Sequence, residues 1–191
     1  MAADTRTRMV ETTARILSER GLYGASFTEI LEQSGAARGS IYYHFPKGKD
    51  QLVSEAIALV KVQTLEQLGT QRGRTPEELT TAFLGLWKRI LENSQFTVGC
   101  TILAVTIASD APQLLDDASD AFRSWRECVA ELLHEGGLSL SDATDFAALL
   151  LASTEGAIVL ARAERDIAPF ETVSRQLLGR LHAIQEKAAA N

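Results

Sequence analysis

The chain has 191 residues, 46% of them hydrophobic and 23% charged, which excludes wholesale disorder and allows a buried core without disulfides or metal. The net charge is −6, yet residues 1–50 carry seven Lys and Arg against six acids, so the remainder stands at −7 and repels phosphate. Two isolated cysteines, Cys100 and Cys128, give no metal-binding spacing and suit a reducing cytoplasm.

The first residues lack the apolar core of a secretory signal. The longest apolar run, 146–161, is interrupted by Ser153, Thr154 and Glu155, so no membrane span is expected. Prolines occur only at 46, 76, 112 and 169, each in a loop or at the first turn of a helix, and no segment alternates with period two. The pattern predicts helices throughout.

A first helix is predicted over 5–20, capped by Asp4, facing inward with Met9, Val10, Ala14 and Leu17, and stopped by Gly21. A second starts at Ser26, which forms a capping box with Glu29 and turns Phe27, Ile30 and Leu31 inward. Ser34-Gly35-Ala36 is a tight turn. A third helix, 38–45, is two turns long and must be anchored by Ile41 and Phe45. Longer helices follow over 49–68, 76 to the break at 96–99, 100–108, 112–135, 141–165 and 169–187, which makes nine.

Residues 26–52, SFTEILEQSGAARGSIYYHFPKGKDQL, have the layout of a helix-turn-helix for DNA. Arg38 stands where a recognition helix reaches base edges, Gly39 lets the backbone approach closely, and Ser40 can donate or accept. Tyr42, Tyr43, His44 and Lys49 suit the sugar-phosphate backbone. Ser26 and Thr28 sit at the start of the second helix, where free N–H groups attract phosphate. The bland alternative makes Tyr42 and Tyr43 packing residues.

The segment GAARGSIYYHFPKGKDQL resembles the DNA-binding region of TetR-family transcriptional regulators. The resemblance implies an all-helical homodimer and ligand-controlled repression, the effector separating the two reading heads. By position it implies base contacts at Arg38 and Gly39 and phosphate contacts at Thr28, Tyr42, Tyr43, His44 and Lys49. Ala37 departs from it: the family commonly has Ser there, which caps the third helix and touches phosphate. The loop from Phe45 to Lys49 and the run Gly99-Cys100-Thr101-Ile102 are similar to the LmrA/YxaF-like branch, although Thr101 stands where that branch often has Pro.

In the rest of the chain Phe83, Trp87, Phe96, Trp125 and Phe146 are candidates to line a lipophilic pocket, with Cys100, Thr101 and Thr154 as polar groups. The alternative is that the aromatics fill the core. Cys100 is read as a small buried residue rather than a redox sensor. Ser153, Gly156, Ala157 and Leu160, with Val173, Leu177 and Leu181 on the last helix, are expected to pair two copies as a four-helix bundle. A dimer is required in any case, since one short helix reads too few bases.

Tyr43 and Lys47 match the Tyr-x-x-x-Lys spacing of short-chain dehydrogenases, but no Gly-rich turn after a strand precedes them. No catalytic residue, cofactor or metal ligand is assigned. The expectation is an all-α protein of nine helices in two parts: a helix-turn-helix DNA-binding domain (1–48) and a helical effector-binding and dimerisation domain (49–191). Its expected partners are a double-stranded operator, a small-molecule effector and a second copy of the chain, in the cytoplasm and without a membrane. A constitutive DNA-binding dimer with a filled body is the rival.

Overall fold

Glycine and proline punctuate a chain that is otherwise helical. The structure, a computed structural model, describes residues 4–189. Among the described residues it is all-α, with nine helices: α1 (Thr5–Gly24), α2 (Phe27–Ser34), α3 (Ser40–His44), α4 (Lys49–Gly69), α5 (Pro76–Asn93), α6 (Thr101–Thr106), α7 (Pro112–Glu135), α8 (Leu140–Glu164) and α9 (Ala168–Ala189).

The chain forms two compact units, Met1–Thr64 with Cys100–Arg123 and Leu65–Gly99 with Ser124–Asn191. In the first, α1 packs on α2 and α6. Met9, Ile16 and Leu17 of α1, Ile30 of α2, Ile41 and Phe45 around α3, and Leu52 and Ile57 of α4 are fully buried there. In the second, α5, α8 and α9 pack on one another around Leu79, Leu91, Phe146, Leu150, Ile158, Leu177 and Leu181.

Several helix ends differ from the sequence expectation. Gly21 does break α1, at φ 69° and ψ −175°, but helical backbone resumes to Gly24. Asp4 makes no side-chain cap. Ser26 accepts from the Glu29 N–H at 3.2 Å, yet the reciprocal half of the expected box is missing. The Glu29 carboxylate is instead taken by Arg20 at 2.7 Å and by Gln33, which ties α2 to α1. The complete capping box lies at α5: Glu78 N–H donates to Thr75 Oγ1 at 3.2 Å, and Thr75 N–H donates to the Glu78 carboxylate at 2.9 Å. On α5 Pro76, Leu79, Thr80, Leu84 and Leu91 are buried, whereas Phe83, Leu86, Trp87 and Ile90 keep partial exposure.

The loop after α5 holds Gln95 (φ 51°) and Phe96 (φ 63°) in the left-handed region, a costly conformation for an aromatic side chain. Phe96 packs against the core of its unit, and Arg162 of α8 donates to Thr97 O at 2.9 Å. The Arg162 guanidinium lies so close over Gly99 that an added Cβ would collide with Nη1. By length and composition α8 alone among the described helices is apolar enough to cross a membrane, which the interrupted run had not suggested. Its inward face, from Phe146 to Ala161, is buried in the core of the unit, as in the central helix of a globular domain.

Candidate nucleic-acid interface

The helix-turn-helix is built from the core outward. Ile41 and Phe45, four residues apart, fix one side of α3 in the unit's interior, and Arg6 of α1 lies over the Phe45 ring at 5.4 Å. The opposite side of α3 is therefore turned out. Tyr42 is 66% exposed with its ring edge-on to Phe27 of α2 at 5.8 Å, and Tyr43 is 83% exposed, edge-on to His44 at 5.0 Å. Packing alone does not account for two such tyrosines.

The turn is made by Gly35, in the left-handed region at φ 66° and ψ 24°, with its N–H on Leu31 O. Helix α3 then begins at Ser40, two residues later than expected. Arg38 and Gly39 lie in the turn before it, because no side chain caps the helix at Gly39. Ala37 has no hydroxyl to offer, and its carbonyl instead accepts from the Ser40 N–H at 2.9 Å and the Ser40 hydroxyl at 2.6 Å.

The nine expected DNA-facing residues thus sort by whether their polar atoms are engaged. Ser26 is held by the Glu29 N–H, Ser40 by Ala37 O, and Lys49 by Leu22 O at 2.9 Å. Burial pushes the Lys49 ammonium below the ordinary lysine value, opposed by Asp50. Gly39 is exposed and an added Cβ there would meet open space. Thr28, Arg38, Tyr42 and Tyr43 are exposed, and their side-chain polar atoms make no hydrogen bond or ion pair among the described residues. His44 is half-buried between Tyr43 and Phe45. Lys47, which sequence reasoning left out, is exposed with its ammonium equally unengaged. A basic residue at the loop between α3 and α4 was the signal for it. Thr28, Glu32, Arg38 and Tyr42 line an open groove of about 480 Å³ between α2 and α3.

The effector candidates fall in both units. In the first, Cys100 and Thr101 are buried. Cys100 Sγ caps α6 by accepting from Leu103 N–H, and Thr101 Oγ1 donates to Ala14 O at 3.3 Å, a tie between α6 and α1. In the second, Trp125, Phe146 and Thr154 are buried, and Phe83, Trp87 and Phe96 sit half-covered at the edge of the core. An open depression of about 840 Å³ along α4 and α5 is lined by Leu68, Arg74, Glu78, Leu86 and Arg89, and Phe83 is the one effector candidate on it.

The dimer candidates divide as well. Gly156 and Leu160 are exposed, Leu160 by 49%, and Ser153 and Val173 are half-exposed. Ala157, Leu177 and Leu181 are buried inside their own unit. The two helices α8 and α9 pack on each other through that same apolar spacing. The exposed apolar row on α8 is Leu149, Ala152, Gly156, Val159 and Leu160.

Comparison with known proteins fits this geometry. Residues 9–56 match the family described as bacterial regulatory proteins, tetR family, and residues 76–176 match the C-terminal domain of LmrA/YxaF-like transcriptional regulators. An uncharacterized HTH-type transcriptional regulator of Mycobacterium tuberculosis is 32% identical over 90% of this chain and 91% of its own length. The HTH-type transcriptional regulator LmrA of Bacillus subtilis is 27% identical over 90% and 93%. A TetR transcriptional regulator from Legionella pneumophila has the same fold, with a TM-score of 0.81 at 21% identity, covering 93% of this chain and 97% of that one. With a helix-turn-helix whose outward side is left unengaged and a body of the LmrA/YxaF type, the chain belongs to the TetR family of DNA-binding transcriptional regulators.

Proposed function

We propose that the chain is a ligand-responsive repressor that binds a palindromic operator as a homodimer in the cytoplasm and is released by a small lipophilic or aromatic effector. The observation that carries the DNA half is the exposed, unengaged set Thr28, Arg38, Tyr42, Tyr43 and Lys47 around α3. Arg38 offers a forked donor to a guanine edge, with Gly39 keeping the approach open. Thr28, Tyr42, Tyr43, His44 and Lys47 contact phosphate, joined by Ser26 and Ser40 through hydroxyls that retain one lone pair or proton. Lys49 braces Leu22 O with one N–H and offers the others to phosphate. Residues 1–48 act as the reading head and 49–191 as the body.

The exposed apolar row on α8 supports pairing with a second copy, since scattered surface leucines seldom line up at helical spacing. Half-covered Phe83, Trp87 and Phe96 support an effector site in the body. The full burial of Phe146 favours the rival in which the body is filled and DNA binding is constitutive.

Selection of bound duplexes from a random pool tests the reading. Recovered sites are expected to hold inverted half-sites about one helical turn apart, roughly 10 bp centre to centre or a multiple of it. Arg38→Ala is expected to relax one symmetric pair of positions and cost about 1–3 kcal/mol. Recovery of unrelated single sites, or an unchanged preference in Arg38→Ala, refutes it.

A further inference from the structure

The two acids of α2 are treated differently by the fold. Glu29 is held by Arg20 of α1 at 2.7 Å and by Gln33. Glu32 is exposed, and its carboxylate makes no hydrogen bond or ion pair among the described residues. It stands four residues after Thr28, so the two share a face of the helix. A bare carboxylate on a surface that meets DNA repels phosphate and weakens binding to every sequence, unless a cation neutralises it in the complex.

The turn after α2 brings such a cation alongside. Gly35 N–H and Ala36 N–H both donate to Leu31 O, so the chain leaves the turn beside the last turn of α2. Gly35, Ala36 and Ala37 carry nothing beyond a Cβ. Arg38 follows them, exposed and ahead of the first residue of α3, and its guanidinium makes no hydrogen bond or ion pair among the described residues. Glu32 and Arg38 line the same open groove of about 480 Å³, together with Thr28 and Tyr42.

A guanidinium carries five N–H donors, and the O6 and N7 of a guanine take two of them. A carboxylate can take two of the other three side by side. An arginine that nothing holds gives up the freedom of a long side chain when it docks on a base. A carboxylate on its second edge fixes the plane of the fork and satisfies donors that the base leaves over.

We propose that Glu32 is a positioning residue for base readout: in the DNA complex its carboxylate pairs across the α2–α3 groove with Nε and one Nη of Arg38 and holds the guanidinium toward a guanine. The proposal rests on the reading of Arg38 as the base-contacting residue and adds the residue that aims it. Glu32 touches no base. It raises discrimination at the position that Arg38 reads, and its charge lowers affinity for unrelated DNA.

The experiment is a double-mutant cycle on the full-length protein. Selection from a random duplex pool is run with the wild type, Arg38→Ala and Glu32→Ala, and the relaxed guanine positions are identified. Fluorescence anisotropy is then read on the selected duplex, on the same duplex with those guanines replaced by adenine, and on an unrelated duplex. Glu32→Ala is expected to lose roughly tenfold of the preference for guanine at the positions that Arg38→Ala relaxes. It is expected to bind the unrelated duplex as tightly as the wild type or more tightly, because a negative charge is gone. With Arg38 already replaced by alanine, Glu32→Ala is expected to change the preference by less than about twofold.

If Arg38→Ala relaxes no guanine position, the reading of Arg38 fails and the proposal with it. If Arg38→Ala relaxes one and Glu32→Ala leaves it sharp, only the role of Glu32 is overturned. Relaxation at a different base pair, or a full effect of Glu32→Ala in the absence of Arg38, means that Glu32 acts on DNA by itself and overturns the positioning role. Equal weakening on all three duplexes overturns it too. Glu32→Ala is expected to melt with the wild type, since it loses no bond within the fold, and a clear fall would assign Glu32 a structural role instead.

Discussion

Gly21 and Gly35 both bracket α2 and both have positive φ, yet they should respond differently to substitution. An added Cβ at either meets nothing within 4 Å, so crowding by neighbours is removed from the comparison and only the backbone remains. Gly35, at φ 66° and ψ 24°, occupies the left-handed helical region that asparagine tolerates. Gly21, at φ 69° and ψ −175°, occupies a region essentially closed to every residue with a Cβ. Placing alanine at Gly35 costs about 1–2 kcal/mol in the folded state. Roughly 0.4–1 kcal/mol of that is offset by the stiffer unfolded chain. Asparagine at Gly35 should come close to neutral, within about 1 kcal/mol. At Gly21 alanine and asparagine should each cost about 2–3 kcal/mol, because the extended ψ gives asparagine no advantage. Urea unfolding of the four variants at one protein concentration measures the differences, and for a chain of this size each kcal/mol corresponds to roughly 2–4 °C in melting temperature. If Gly21→Asn and Gly35→Asn prove equally costly, or if Gly21→Asn is milder than Gly21→Ala, the backbone argument is wrong.

Three further outcomes are expected. Lys49→Met should lower stability by about 1–2 kcal/mol through loss of the charged hydrogen bond to Leu22 O. It should also reduce the salt dependence of DNA binding by about one counterion; an unchanged slope would remove Lys49 from the phosphate set and leave it a brace only. Gly156→Asp, which places a charge in the exposed apolar row of α8, should yield monomers by sedimentation, and an intact dimer would move the interface elsewhere. Thr75→Ala should cost about 1 kcal/mol by breaking the capping box of α5. The Thr75 N–H and hydroxyl hold the Glu78 carboxyl below its ordinary value, so its contribution is present above the ordinary glutamate range and is lost as the pH falls through the lowered value. The penalty of Glu78→Gln should accordingly shrink in acid; a constant penalty from neutral pH to pH 3 contradicts the ionic part of the cap.

The head was legible because its cues are local. A capping serine, a left-handed glycine and an apolar pair four residues apart were enough to place α2, the turn and the outward side of α3. The start of α3 was misread by two residues because Gly39 caps nothing and Arg38 has an ordinary helix propensity. The Thr75–Glu78 box was equally local and was missed only because Pro76 already explained the helix start. Other features depend on residues far apart in the chain. Lys49 and Leu22 are 27 residues apart, so a cation expected to point at phosphate is found bracing the corner that leads into α2. The left-handed Gln95 and Phe96 are imposed by the docking of Phe96 and the grip of Arg162 on Thr97 O, and neither residue signals that conformation by itself. The small and apolar spacing on α8 and α9 is met within the chain by packing of the two helices on each other, and periodicity alone could not say which residues take part.

The closeness of Arg162 to Gly99 has a consequence for protein engineering and for evolution. The two positions form a lock in which the absence of a side chain at one makes room for the guanidinium of the other. They should be exchanged together or not at all. Among diverged sequences a side chain at position 99 should coincide with loss of the arginine at 162. A chimera that takes its last two helices from another regulator must bring along that regulator's residue at position 99, or the donor's helix will arrive with nothing to close upon.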